Sequence, residues 1–291
     1  MIYIREYKKQ YLKAISELKS FQKSWVNWSS ILSIKLKNIN GQGVLDLGDD
    51  LSNIFQTNAP KGRDQGDLSG GGYAWECLVV WYLNLIYWET PIIITRTNKQ
   101  VVPKCIRDVL TVTISNNQTN TESDILIFNV PDHKLLNQSK VSVKTLDNHL
   151  TSRLKNIDIF NLQCKTNWND NSQIPMLWDM IYNSKSNLSY VGVGRNGVNP
   201  NSAKSFKYGF ATVPSYKLSK YKTTTLSVLR VKNLTGGNYW GHPSKPDIAS
   251  SLKELPNRNY SQVFKGGIGA HLDRQMSLDP NLIDKFLNLN W

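Results

Sequence analysis

The sequence predicts an α/β fold, a mixed β-sheet flanked by helices. Three observations predict it. Apolar groups recur at helical spacing near the start of the chain, a strongly apolar helix covers 73–89, and short apolar runs bounded by polar turns follow. A chain of 291 residues with 40% hydrophobic and 10% aromatic content can bury a full core.

Within residues 3–38, Tyr7, Tyr11, Ala14, Leu18 and Phe21 fall near one face, so one or two amphipathic helices are expected. The stretch 38–72 is rich in Gly, Asn, Asp and Ser and reads as a long loop or irregular excursion. YAWECLVVWYLNLIYWE (73–89) reads as a helix closed by Pro91. IIIT (92–95) is a buried strand and VLTVTI (109–114) alternates as a second. DILIFNV (124–130) and IDIFNLQCKT (157–166) are two more, with a Lys- and Asn-rich excursion between them. A helix with Pro175 in its first turn is expected over 172–184, then a strand, 188–197, entering a Gly/Asn turn. FKYGFATVPSYK and TTTLSVLRVKNL read as further strands. With no internal repeat and no long low-complexity linker, 1–291 is expected to be a single domain. Its parts are an N-terminal helical and loop region (1–70), a core (71–195) and a basic mixed region (196–291).

The formal net charge is +13, which points to a polyanionic partner, nucleic acid or an acidic membrane surface. From 201 onward there are 13 Lys or Arg against 5 Asp or Glu, interleaved with Tyr, Trp, Phe and Gly. That pattern suits a folded surface along a phosphate backbone better than a disordered arm. No apolar run is long enough to cross a bilayer, and MIYIREYKKQYLKA lacks the apolar centre of a signal peptide. Three cysteines, none in CxxC spacing, suit reduced thiols and a cytoplasmic setting and argue against structural zinc.

The strand ending LQCKT carries the chemistry. Alternation puts Gln163 and Lys165 on one face and Cys164 on the other. Lysine is unusual in an apolar strand, although Lys165 emerging into solvent at a strand end is the plain alternative. Asp124 opens another apolar strand, where Asp is depleted. Antiparallel pairing of 124–130 with 158–165 would set Asp124 beside Gln163 and Lys165. A carboxylate, a second oxygen ligand and an ammonium at one sheet edge can hold a hard cation such as Mg²⁺ and act on a phosphodiester. Glu122, on the face of Asp124, and Asp132 compete for the carboxylate position. Asp158 sits at an odd offset from Gln163, roughly 17 Å along the strand, and is excluded unless a bulge intervenes.

Asp124, an apolar strand, then Gln163-Cys164-Lys165 resembles the signature of PD-(D/E)XK nucleases, which include most type II restriction enzymes. NLQCKTNWNDNSQIPMLWDMIY also looks like restriction-endonuclease sequence, and Glu76 stands where the family carries a Glu on a helix before the strands. The resemblance covers about 70–195 and implies Mg²⁺ as cofactor and double-stranded DNA as substrate. Metal ligands would come from Asp124, Glu76, Gln163 and the Cys164 carbonyl, with Lys165 positioning the attacking water. Gln163 departs from the commoner Glu or Asp, which leaves fewer charges on the ion and gives Glu76 more weight. For Glu76 itself, the plain reading is an acid favoured in the first turn of a helix.

Weaker signals complete the set. Arg195, Lys204 and Lys207 are candidate DNA contacts, and Trp168 and Trp240 are candidate base or sugar contacts. His133, His149, His242 and His271 lack metal spacing. The expectation is a restriction endonuclease, a homodimer because palindromic sites match two-fold symmetry. A repair or modification-dependent nuclease of the same fold, and a basic DNA-binding protein without catalysis, are the alternatives.

Overall fold

The computed structural model describes residues 2–58, 65–98, 100–115, 117–120, 123–136, 142–166, 181–182, 191–213, 222–241 and 248–291. Helices α1 (Ile2–Ser16) and α2 (Lys19–Lys35) fill the expected amphipathic stretch. The excursion expected over 38–72 is instead largely helical: α3 (Gly41–Asp46), a 3-10 turn, α4 (Leu51–Gln56) and the start of α5 (Gln65–Ile86). Asn40 caps α3 through its side chain, which accepts from the Gly43 N–H at 2.8 Å. The glycines there serve close packing rather than turns. A Cβ on Gly41 would stand 2.1 Å from the Gly269 carbonyl of helix α10 (Ile268–Leu278).

From Ala74 to the end of α5 at Ile86 every side chain is buried, as are Tyr87 and Trp88 beyond it, as befits a helix apolar on all sides. It ends where Glu89 turns left-handed (φ 60°) ahead of Pro91. The main sheet has the order β1 (Ile92–Arg96), β4 (Ile125–Asn129), β5 (Asp158–Lys165), β7 (Ser205–Thr212), β8 (Tyr239–Trp240). β1, β4 and β5 pair antiparallel, whereas β5–β7 and β7–β8 are parallel, so the sheet is mixed as expected. A second, antiparallel sheet joins β3 (Asn117–Asn120), β2 (Thr111–Ile114) and β6 (Val191–Val193).

Strand alternation divides the core. Ile92, Ile94, Ile125, Ile127, Phe160 and Leu162 face α5 and its tryptophans. Ile93, Leu126, Phe128 and Ile159 face α1, α6 (Lys104–Leu110) and α7 (Val143–Thr151). The first cluster also takes in Trp25 and Trp28 from α2 and Phe286 from α11 (Leu282–Leu287), so residues from both outer thirds share it. Trp81 and Trp25 donate their indole N–H to the Phe286 and Leu287 carbonyls, each at 3.0 Å.

Two further expectations change. TTTLSVLRVKNL, read as a strand, holds helix α8 (Leu226–Leu234), with Val228 and Val231 buried at a spacing of three. The excursion between β4 and β5 contains α7, where Ser142 accepts from the Thr145 N–H at 3.2 Å and Leu146 and Leu150 turn inward. The remaining short helix, α9, covers Glu254–Arg258. Most of the helix expected over 172–184 lies outside the described residues, Ile181 and Tyr182 being helical. No helix among the described residues is long and apolar enough to cross a membrane.

Candidate active site

The register of β4 on β5 pairs Ile125 with Leu162, so the next step sets Asp124 opposite Gln163. Asp124 Oδ2 accepts the Cys164 N–H at 2.7 Å, continuing the ladder with a side chain where β4 has not yet begun. A residue's N–H and C=O leave a strand on the same side. The Cys164 carbonyl therefore shares the strand edge that faces Asp124. Gln163 is fully buried, and its Oε1 accepts the Tyr208 hydroxyl from β7. Lys165 closes β5 on the face of Gln163, half-buried, and its carbonyl accepts the Val213 N–H at 2.9 Å. The structure thus brings Asp124, Gln163 and Lys165 together.

Glu76 belongs to the other face. Arg96, in phase with Ile92 and Ile94, donates Nε to Glu76 Oε2 at 2.7 Å and lies over the Tyr73 ring, 4.8 Å from its centroid. Among the described residues nothing else hydrogen-bonds the Arg96 guanidinium. Burial holds the Glu76 carboxyl above its usual range, opposed by the Arg96 charge and, more weakly, by Lys165. For Arg96 burial is the largest single influence and works downward, but the charge and hydrogen bond of Glu76 together with Cys77 and Tyr73 outweigh it and leave the guanidinium raised. On that same face lies the Cys164 thiol, pushed well above its ordinary value first by burial and then by Asp124 and Glu76, with Lys165 and Arg96 pulling it down. Four charged groups thus act on one point at the end of β5, from two sides of the sheet.

The donor set fits a hard divalent cation in kind. The Asp124 carboxylate, the Gln163 amide oxygen and the Cys164 carbonyl are hard oxygens, and each can accept a further contact. Among the described residues no three His, Cys, Asp or Glu side chains gather closely enough to hold a metal ion, so the amide and the carbonyl would be needed.

Of the three competing acids, two are described and both stand apart from the site. Glu122 lies outside the described residues. Asp132 lies past the opposite end of β4 and binds Arg153 at 3.1 Å. Asp158, at the start of β5, binds Lys204 at 3.1 Å. The expected DNA contacts do not converge on the site. Lys204 and Lys207 stand at the start of β7, eight and five residues before Thr212, the partner of Lys165, or roughly 26 and 17 Å along the strand. Arg195 lies in the turn after β6, bonded to Gln118 at 3.0 Å. Trp240, expected to be available for nucleic acid, is fully buried edge-on to Phe160, while Trp168 and His242 lie outside the described residues. His271 is buried in α10 against the Trp88 carbonyl at 2.8 Å.

Sequence reading missed Arg96 and Tyr208. Arg96 could have been found as Lys165 was, since each is a cation ending an apolar strand. Tyr208 had no comparable signal, because only the β5–β7 register brings it to Gln163. No protein-family model matches the chain, and no curated protein is significantly similar to it.

Proposed function

We propose that the chain is a Mg²⁺-dependent endonuclease of the PD-(D/E)XK type that hydrolyses double-stranded DNA as a type II restriction enzyme, acting as a homodimer. One observation carries the reading: Asp124, bonded to the Cys164 N–H at 2.7 Å, faces Gln163 with Lys165 on the same side of the strand. The family signature requires that convergence, and the residues supplying it lie far apart in sequence. The basic balance of +13 supports a polyanionic substrate.

In this reading Asp124, Gln163 and the Cys164 carbonyl hold the ion. A bound Mg²⁺ supplies Lewis-acid polarisation of the phosphoryl oxygen. Lys165 orients the attacking water and offsets charge on the scissile phosphate. Glu76 takes the role of holding Arg96, which adds a second cation close to the phosphate path. The site then works with one carboxylate on the ion and two cations near the substrate.

The Glu76–Arg96 pair also favours a second reading, a DNA-binding protein without catalysis, because it removes one of the two carboxylates available to an ion. Digestion of methylated and unmethylated plasmid DNA by the purified protein, with Mg²⁺ or EDTA and beside Lys165→Ala, separates them. Discrete Mg²⁺-dependent fragments, lost by 10²-fold or more in the variant, are expected for the nuclease. Uncut DNA on every substrate, with binding indifferent to Mg²⁺, would establish the second reading instead. Cutting of methylated DNA alone would assign a modification-dependent nuclease.

A further inference from the structure

At the end of the sheet remote from Lys165, a cavity of about 170 Å³ opens between the starts of β5 and β7 and the segment after α9. Lys204, Lys207 and Arg258 line it, together with Ser261 and Gln262. Asp158 is its one acid, and both carboxylate oxygens are engaged, Oδ1 by Ser205 at 2.6 Å and Oδ2 by Lys204 at 3.1 Å. Lys207 donates to the Asn259 amide oxygen at 3.2 Å, and Arg258 to the Gly237 carbonyl at 2.8 Å. Among the described residues neither meets a carboxylate. Three cations therefore face one cavity with a single anion among them.

The floor is rigid. Asn259 is 2% exposed and also donates to the Leu255 carbonyl, while the Tyr260 hydroxyl bridges the Ile127 and Asp158 carbonyls at 3.1 and 2.9 Å. Tyr260 keeps a left-handed backbone (φ 60°) to make that turn. Side chains held by buried partners lose little freedom when a ligand arrives. Like charges converging on a polar cavity are most stable with an anion between them, and Arg and Lys together match the oxygens of a phosphate group.

We propose that this cavity is a phosphate-binding site, separate from the edge that carries Asp124 and Lys165. The phosphate belongs either to the DNA backbone, in which case the inference rests on the DNA-binding reading above, or to a small phosphomonoester. Its distance from Lys165 makes it an anchoring site rather than part of the cutting centre.

The test compares wild type with K207Q/R258Q, both substitutions being at exposed positions. Inorganic phosphate, against chloride at equal ionic strength, is expected to raise the melting temperature of wild type and not of the variant. DNA affinity is then measured against salt. If the site takes a backbone phosphate, the variant's log–log salt slope falls by about 0.9. An unchanged slope with the phosphate effect still lost assigns the small phosphomonoester. No phosphate effect on wild type and no change in slope would overturn the site, whatever the cleavage assay shows.

Discussion

Two regions along α5 hold buried charge and meet its cost differently. Near the sheet edge Glu76 and Arg96 pair with each other, and a ring and a strand end fix the guanidinium. Past the other end of the helix Lys8 is 0% exposed and donates to the Tyr87 carbonyl, which Thr90 Oγ1 also serves at 2.7 Å. The nearest acid, Glu89, is held by Arg5. Burial pushes the Lys8 ammonium down to about 7, and Glu89 recovers only part of that. A pair keeps its guanidinium charged, while an ammonium among carbonyls is on the point of shedding its proton. Permanent positive charge suits the phosphate path proposed above; at the α1–α5 junction the chain only needs a donor.

The largest expected effect comes from breaking the pair. Arg96→Met leaves Glu76 buried without its counterion and should destabilise the fold by about 3–5 kcal/mol in urea unfolding. The Glu76 carboxyl should move further up, so the loss should grow as pH rises and that acid is forced to ionise in the core. If unfolding is unchanged, the pair is not what holds Glu76 in place.

Lys8→Met should act in the opposite direction. In wild type the unfolded chain carries a proton on Lys8 up to about pH 10.5 and the folded chain only up to about 7. Stability contributed by this residue therefore rises with pH across that window and is lost as pH falls through it, reaching a constant low level below about 7. The methionine variant should flatten the dependence and gain on the order of 2–4 kcal/mol at neutral pH. An equal slope in wild type and variant would locate the titration elsewhere.

The smallest effect tests a neutral counterpart. Tyr208→Phe removes the hydroxyl that Gln163 accepts and should cost about 1–3 kcal/mol, the range for a buried acceptor that loses its donor. Because Gln163 is also a proposed ion ligand, the Mg²⁺ dependence of cleavage should change in the same variant. Stability loss without any change at the site would make Tyr208 a packing residue only.

The sheet and the charged residues at its edge were legible because period-two alternation is a strong local signal. DILIFNV and IDIFNLQCKT showed both the strands and the odd residues in them, Asp124 and Lys165. The helices over 38–56 were illegible because Gly41 and Gly48 resemble turn residues, whereas each makes room for a close neighbour. Glu76 was picked out by its family position, and its Arg96 partner was not foreseen. IIITR, the strand that supplies it, carried no mark beyond its final charge. The separation of Lys204 and Lys207 from Lys165 depends on the parallel β5–β7 register, which no local pattern specifies.

The arrangement of β5 also bears on how accurately the site is made. One face carries Ile159, Asn161, Gln163 and Lys165, and the other Phe160, Leu162 and Cys164 against the tryptophan-lined helix layer. Slipping the strand by a single residue would drive two amides and an ammonium into that layer and turn Phe160 and Leu162 away from it. Errors of alignment are thus penalised along the whole length of the strand, far more heavily than the few contacts of Asp124 could manage alone. The polar stripe works as a vernier, with the core of the protein setting the position of its charged end.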